Sequence, residues 1–121
     1  MTETFVVKSH EVAEGNRMTV TIGKHEIGIF RHRGKLFAYS NYCLHSGGPA
    51  CEGLIIAKVE EKILPDKTSA GLYFSDEETH FVCPWHGYEY DIKTGEFIGD
   101  RHLKLRAYPV VERGGEIFVA L

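Results

Sequence analysis

Two short cysteine–histidine pairs constrain this chain more than anything else in it. Cys43-Leu44-His45 is a C-x-H pair and Cys83-Pro84-Trp85-His86 a C-x-x-H pair, with 37 residues between them. Each offers one soft thiolate and one imidazole from a single turn, so together they can hold a metal centre with two sulfur and two nitrogen donors. Such a donor set suits zinc or iron–sulfur. Zinc fingers usually carry their second pair as two histidines three to five residues apart on a helix, whereas Cys83 and His86 stand in a turn bounded by Pro84 and Gly87. Glycines follow both pairs, at Gly47 and Gly87, where the backbone must turn sharply.

The surrounding residues narrow the choice. Cys43-Leu44-His45-Ser46-Gly47-Gly48-Pro49 and Cys83-Pro84-Trp85-His86-Gly87 resemble the two cluster-binding loops of Rieske proteins. The resemblance extends over nearly the whole chain, through Tyr88-Glu89-Tyr90-Asp91, Thr94-Gly95-Glu96 and Tyr108-Pro109-Val110. It implies one [2Fe-2S] cluster per chain, with one iron held by Cys43 and Cys83 and the other by His45 and His86. The implied fold is all-β: an antiparallel β-sandwich with a small cluster-binding subdomain formed by the two loops. A structural Cys2His2 zinc module remains the alternative with the same four donors.

The resemblance also implies differences from high-potential relatives. Those carry an additional cysteine in each loop, and the two pair to brace the cluster; the matching positions here are Gly48 and Trp85. They also carry a serine and a tyrosine after the second loop that donate hydrogen bonds to the cluster and to a cysteine sulfur. This chain has Tyr88 at the serine position and keeps Tyr90. The family's third loop, which covers the cluster, corresponds to Gly99-Asp100-Arg101-His102, without its usual proline. These departures point to the low-potential ferredoxin branch.

At 121 residues the chain is expected to form one domain, residues 1–121, with an insertion at 54–79 between the two loops. Fourteen basic and 17 acidic residues give a net charge of -3, which offers no basis for nucleic-acid or anionic-membrane binding. The start, Met1 to Lys8, reads as neither an export signal nor a membrane span, so a cytoplasmic protein is expected, acting as a monomer. Three cysteines without an export signal argue against a disulfide framework, and Cys51 reads as a small buried hydrophobe. His10, His25, His32, His80 and His102 lack ligand spacing and read as surface or sheet histidines.

Short apolar or alternating runs closed by glycine predict strands throughout. Met18–Ile22 turns at Gly23-Lys24; His25–Arg31 and Lys35–Tyr39 flank Arg33-Gly34; Tyr88–Ile92 leaves the second loop; Glu116–Val119 follows Gly114-Gly115. Within the insertion, Ile55–Val59 is expected to add a strand and Pro65–Ser69 a loop. Leu72–Phe74 is expected to pair with His80–Val82 across a turn at Ser75–Glu78.

Two thiolates offset the charge of an oxidised cluster, so neutral histidines leave the site less negative than an all-cysteine one and raise its potential. The resemblance implies a one-electron carrier between a reductase and a terminal oxygenase, itself not an enzyme. The second reading is a small subunit of an assimilatory nitrite reductase. The chain is too short to add an oxygenase's substrate domain.

Overall fold

In the computed structural model, residues 3–44, 47–85 and 87–121 are described, without the side chains of 59–62 and 73–76. The described chain is built from eleven strands and one 3-10 turn, Ser9–Glu11. Strands β1 (Glu3–Lys8), β10 (Val110–Arg113) and β11 (Glu116–Ala120) make one sheet in the order β1-β11-β10. Strands β2 (Arg17–Ile22), β3 (His25–His32) and β4 (Lys35–Ser40) make a second, ordered β2-β3-β4. The third runs β5-β6-β7-β8-β9, from β5 (Ile55–Ile63), β6 (Ser69–Val82), β7 (Glu89–Asp91), β8 (Glu96–Phe97) and β9 (Asp100–Lys104). All paired strands are antiparallel.

The β3–β4 hairpin is buried on both faces, and side-chain alternation explains how. Ile27, Ile29 and Ala38 point one way, into a core with Val7, Val12, Tyr108, Ile117 and Val119. Phe30 and Tyr39 point the other way, against Cys43, Cys51, Phe81, Cys83, Tyr90, Ile92 and Leu105. A strand that serves two cores has no polar face, so its sequence reads as a continuous apolar run. The open edge of β4 is closed by residues 105–108: Ser40 N donates to Arg106 O (2.9 Å) and Tyr108 N to Ala38 O (2.9 Å).

The turn of this hairpin is a two-residue loop with positive φ at both centres, Arg33 (51°) and Gly34 (76°), the twist that antiparallel strands favour. Arginine pays a steric cost there. The Glu14 carboxylate caps both residues, accepting from Gly34 N (2.8 Å) and Arg33 N (2.7 Å). Those two bonds hold its carboxyl below the ordinary carboxylate range.

The hairpins anticipated around Gly23-Lys24, Arg33-Gly34 and Gly114-Gly115 all form. The pairing within residues 54–79 differs from the expectation. Leu72–Phe74 and His80–Val82 do not pair with each other; they belong to one strand, β6, and both pair with β5. Ala57 faces Thr79, yet Val59 faces Phe74, so four residues of β6 oppose the single Lys58. The acidic Ser75–Glu78 run is therefore a wide bulge inside a strand. Backbone pairing on both sides of it outweighs the local preference of Ser, Asp and Glu for a turn. Gly99–His102 also departs from expectation: from Asp100 onward it is strand β9, not a covering loop.

Gly28 marks where the tail of the first loop packs on β3. A β-carbon there would lie 2.3 Å from Cys51 Cβ and 2.5 Å from its sulfur. Both partners are fixed, Cys51 at 0 % exposure. Gly28→Ala is therefore expected to destabilise the fold by about 1–3 kcal/mol, the scale of core overpacking. Urea unfolding monitored by far-UV circular dichroism measures it.

Candidate metal centre

The two loops leave the scaffold at neighbouring points, one between β4 and β5, the other between β6 and β7. Their bases are tied by the β5–β6 ladder, where Ile55 pairs with Phe81 and Val82 N donates to Leu54 O (2.8 Å). Beneath them the rings of Phe30 and Phe81 stack with centroids 4.6 Å apart, and Phe81 stacks on Tyr90 at 5.5 Å. The loops thus stand on packed aromatic side chains.

Both loops close with the same backbone frame. Cys43 N donates to Gly48 O (2.7 Å) and Cys43 O accepts from Gly47 N (2.8 Å). In the second loop Cys83 N donates to Tyr88 O (2.8 Å) and Cys83 O accepts from Gly87 N (3.0 Å). Gly47 and Gly87 each have φ of 72°, the left-handed conformation that an L side chain disfavours. Each frame turns its cysteine inward: Cys43 is 4 % exposed and Cys83 0 %.

Tyr90 links the second loop's strand to the first loop. Its hydroxyl oxygen accepts from Leu44 N (3.1 Å) and lies 3.1 Å from Cys43 Sγ. Because the oxygen already accepts the amide proton, its own proton is free to point at the sulfur. Burial, and then the adjacent Cys43, push the phenol well above its ordinary value, so it stays a donor. Tyr88, by contrast, stacks flat on Phe97 with centroids 4.5 Å apart.

Asn41 braces the root of the first loop. Its Oδ1 accepts from Cys51 N (2.8 Å), its Nδ2 donates to Glu52 Oε2 (2.6 Å), and its carbonyl accepts from Ala50 N (3.0 Å). Nothing in the sequence pattern singled it out; the pairing depends on the loop doubling back beside its own start. Cys51 is buried as expected, and burial raises its thiol far above the usual range, keeping it an unreactive core residue.

The structure brings Cys43 and Cys83 into one buried cluster of side chains. His45 and His86 lie outside the described residues. Leu44, Pro84 and Trp85, beside them in sequence, are exposed and surround the loops with apolar surface. His102 is exposed and, among the described residues, bonds locally to Asp100.

His80 is a sheet histidine, on β6, and buried: it is 3 % exposed, with Nδ1 facing Glu89 (3.0 Å) and Nε2 facing Glu78. Arg101 completes this group, bonding Glu78 (3.0 Å), Asp91 (3.1 Å) and Glu96 (2.9 Å). Burial pushes the Glu78 carboxyl up, but His80, Lys58 and Arg101 outweigh it and hold the carboxyl below its ordinary value. A carboxyl depressed in the folded state contributes stability above its unfolded pKa and loses it as pH falls through the folded one. Glu78→Gln is accordingly expected to cost about 1.5–3 kcal/mol at neutral pH, a charge-assisted hydrogen bond's worth. Thermal melts across pH should show the deficit shrinking in acid.

Residues 2–109 match the sequence pattern of the Rieske [2Fe-2S] domain. A human Rieske domain-containing protein is 27 % identical over 131 aligned positions, covering 96 % of this chain and 73 % of its own length. The ferredoxin component of the naphthalene 1,2-dioxygenase system of Pseudomonas aeruginosa is 23 % identical, covering 100 % and 99 %. Among solved structures, the ferredoxin of carbazole 1,9a-dioxygenase from Nocardioides aromaticivorans IC177 superposes with a TM-score of 0.69 at 24 % identity, covering 99 % of this chain and 98 % of that one. A protein described as a small subunit of an NADPH nitrite reductase superposes at 0.72 with 11 % identity, each chain covered fully. At these identities the superpositions speak for the fold.

Proposed function

Because the chain belongs to the Rieske [2Fe-2S] domain family, whose cluster it shares, we propose that it is a one-electron carrier passing electrons from a reductase to a terminal oxygenase, acting as a cytoplasmic monomer. Cys43 and Cys83 would hold one iron and His45 and His86 the other. The observation that carries the reading is the contrast between buried and exposed sides of the loops: the cysteines are 4 % and 0 % exposed, whereas Leu44 is 45 % and Trp85 58 % exposed. Buried thiolates keep the sulfur side dry, and an apolar rim can exclude water while a partner is engaged.

The residues present fit such a cluster. Two inward-turned cysteines converge on one core, and a buried hydroxyl is aimed at one of their sulfurs. When bound, the cluster takes up and releases one electron. Tyr90, whose hydroxyl lies 3.1 Å from Cys43 Sγ, would stabilise the added negative charge by donating to that sulfur. The two loop frames hold the backbones of both cysteines, so that little would need to move when the charge changes. Binding requires the cysteines deprotonated and the imidazoles neutral.

The relative described as the ferredoxin component of the naphthalene 1,2-dioxygenase system supports this partner class. The nitrite reductase reading rests on a superposition at 11 % identity, which speaks for the fold alone, whereas this chain carries both cysteine–histidine pairs.

Two results are expected. With no cysteine at positions 48 and 85 and tyrosine at 88, the midpoint should fall at roughly -150 to 0 mV, the lower end of the Rieske range; a potentiometric titration centred above about +150 mV would contradict the assignment. Leu44→Glu should slow electron transfer to the oxygenase in stopped-flow mixing while iron content stays intact, because it places a charge in a small, weak docking face. An unchanged rate at unchanged potential would place docking elsewhere, with the 54–79 insertion next in line.

A further inference from the structure

We propose that Trp85 is a clasp between the two metal-binding loops, its indole filling the space that a side chain on Gly48 would occupy. A β-carbon built on Gly48 would lie 2.6 Å from Trp85 Cδ2, 2.8 Å from Cγ and 2.9 Å from Cε3. Gly48 is buried although Trp85 remains 58 % exposed. The ring therefore lies against the backbone of the opposite loop while keeping much of its surface in solvent.

The contact completes a graded set of ties. The loop bases are joined by the β5–β6 ladder, and the first loop's cysteine is held by Tyr90 from the strand after the second loop. Trp85 extends the connection to the segments beyond the cysteines. In sequence it immediately precedes His86, and Gly48 follows His45 by three positions. The clasp thus joins the stretches that carry the two imidazoles. Glycine is required at 48 because only a bare Cα lets an aromatic ring approach the backbone so closely. Trp85 is a positioning residue: it fixes the separation of two turns whose histidines must meet one iron.

The inference rests on the loops holding the cluster, not on the choice of redox partner. Cluster-loaded wild type, Trp85→Ala, Trp85→Phe, Gly48→Ala and the Trp85→Ala/Gly48→Ala double variant would be challenged with an iron chelator and examined by EPR after reduction. Loss of an aromatic contact predicts release about three- to tenfold faster in Trp85→Ala and in Gly48→Ala, with the double variant no faster than the faster single, because both remove one contact. Trp85→Phe should stay within about twofold of wild type, since a smaller ring can still cover Gly48. The EPR lines should broaden in the two alanine variants and not in Trp85→Phe; a role confined to overall stability would lower melting temperature without touching them.

Effects that multiply in the double variant, or wild-type release in Gly48→Ala, would overturn the clasp. If Trp85→Ala folds but takes up no iron, the decision passes to Gly48→Ala: fast release supports the clasp and wild-type release defeats it. Wild type lacking iron and sulfide would instead defeat the cluster reading itself.

Discussion

The packed rings of Phe30, Phe81 and Tyr90 are the interaction on which the two loops depend. Phe81 and Tyr90 are cross-strand partners on β6 and β7, and Phe30 reaches them from β3, so three strands from two sheets meet at one place. All three side chains are fully buried. Each such aromatic pair contributes about 0.5–1.5 kcal/mol beyond its area burial. More important for the site, Tyr90 is buried between Phe81 and Phe97, and its hydroxyl bonds to the first loop from that position. Core packing is thereby converted into placement of Cys43.

The same economy governs polar groups near the loops. Asn41, Glu52 and the amide of Cys51 satisfy one another inside the first loop's root, and Arg17 donates to Glu52 O (2.8 Å) at its outer edge. On the other side of β7, the carboxylates of Glu78, Glu89, Asp91 and Glu96 are gathered around His80 and Arg101. Losing Glu78 costs most, because it leaves the buried His80 without one of its partners, whereas Arg101 and Glu89 keep about two-fifths of their side chains in water.

Much of this was legible in the sequence. The cysteine pairs and their trailing glycines located the loops, and short apolar or alternating runs closed by glycine located β2, β3, β4 and β11, because both signals are local. What the sequence did not disclose depends on distant partners. The Ser75–Glu78 run carries turn residues, yet β5 pairs with β6 on both sides of it and absorbs the run as a bulge. His80 has no metal-ligand spacing, and its carboxylates come from the bulge and from β7. Gly28 looked like an ordinary strand glycine until Cys51, from a loop 23 positions later, was placed against it.

The central claim is that Cys43, His45, Cys83 and His86 share one [2Fe-2S] cluster with the histidines on one iron. Pulsed EPR of the reduced protein, grown with 15N-labelled histidine, tests it most directly. The account predicts coupling to two histidine nitrogens, with neither His45→Ala nor His86→Ala retaining the two-nitrogen signal and His102→Ala leaving it unchanged. A colourless protein with stoichiometric zinc, or a cluster signal without histidine coupling, would contradict it.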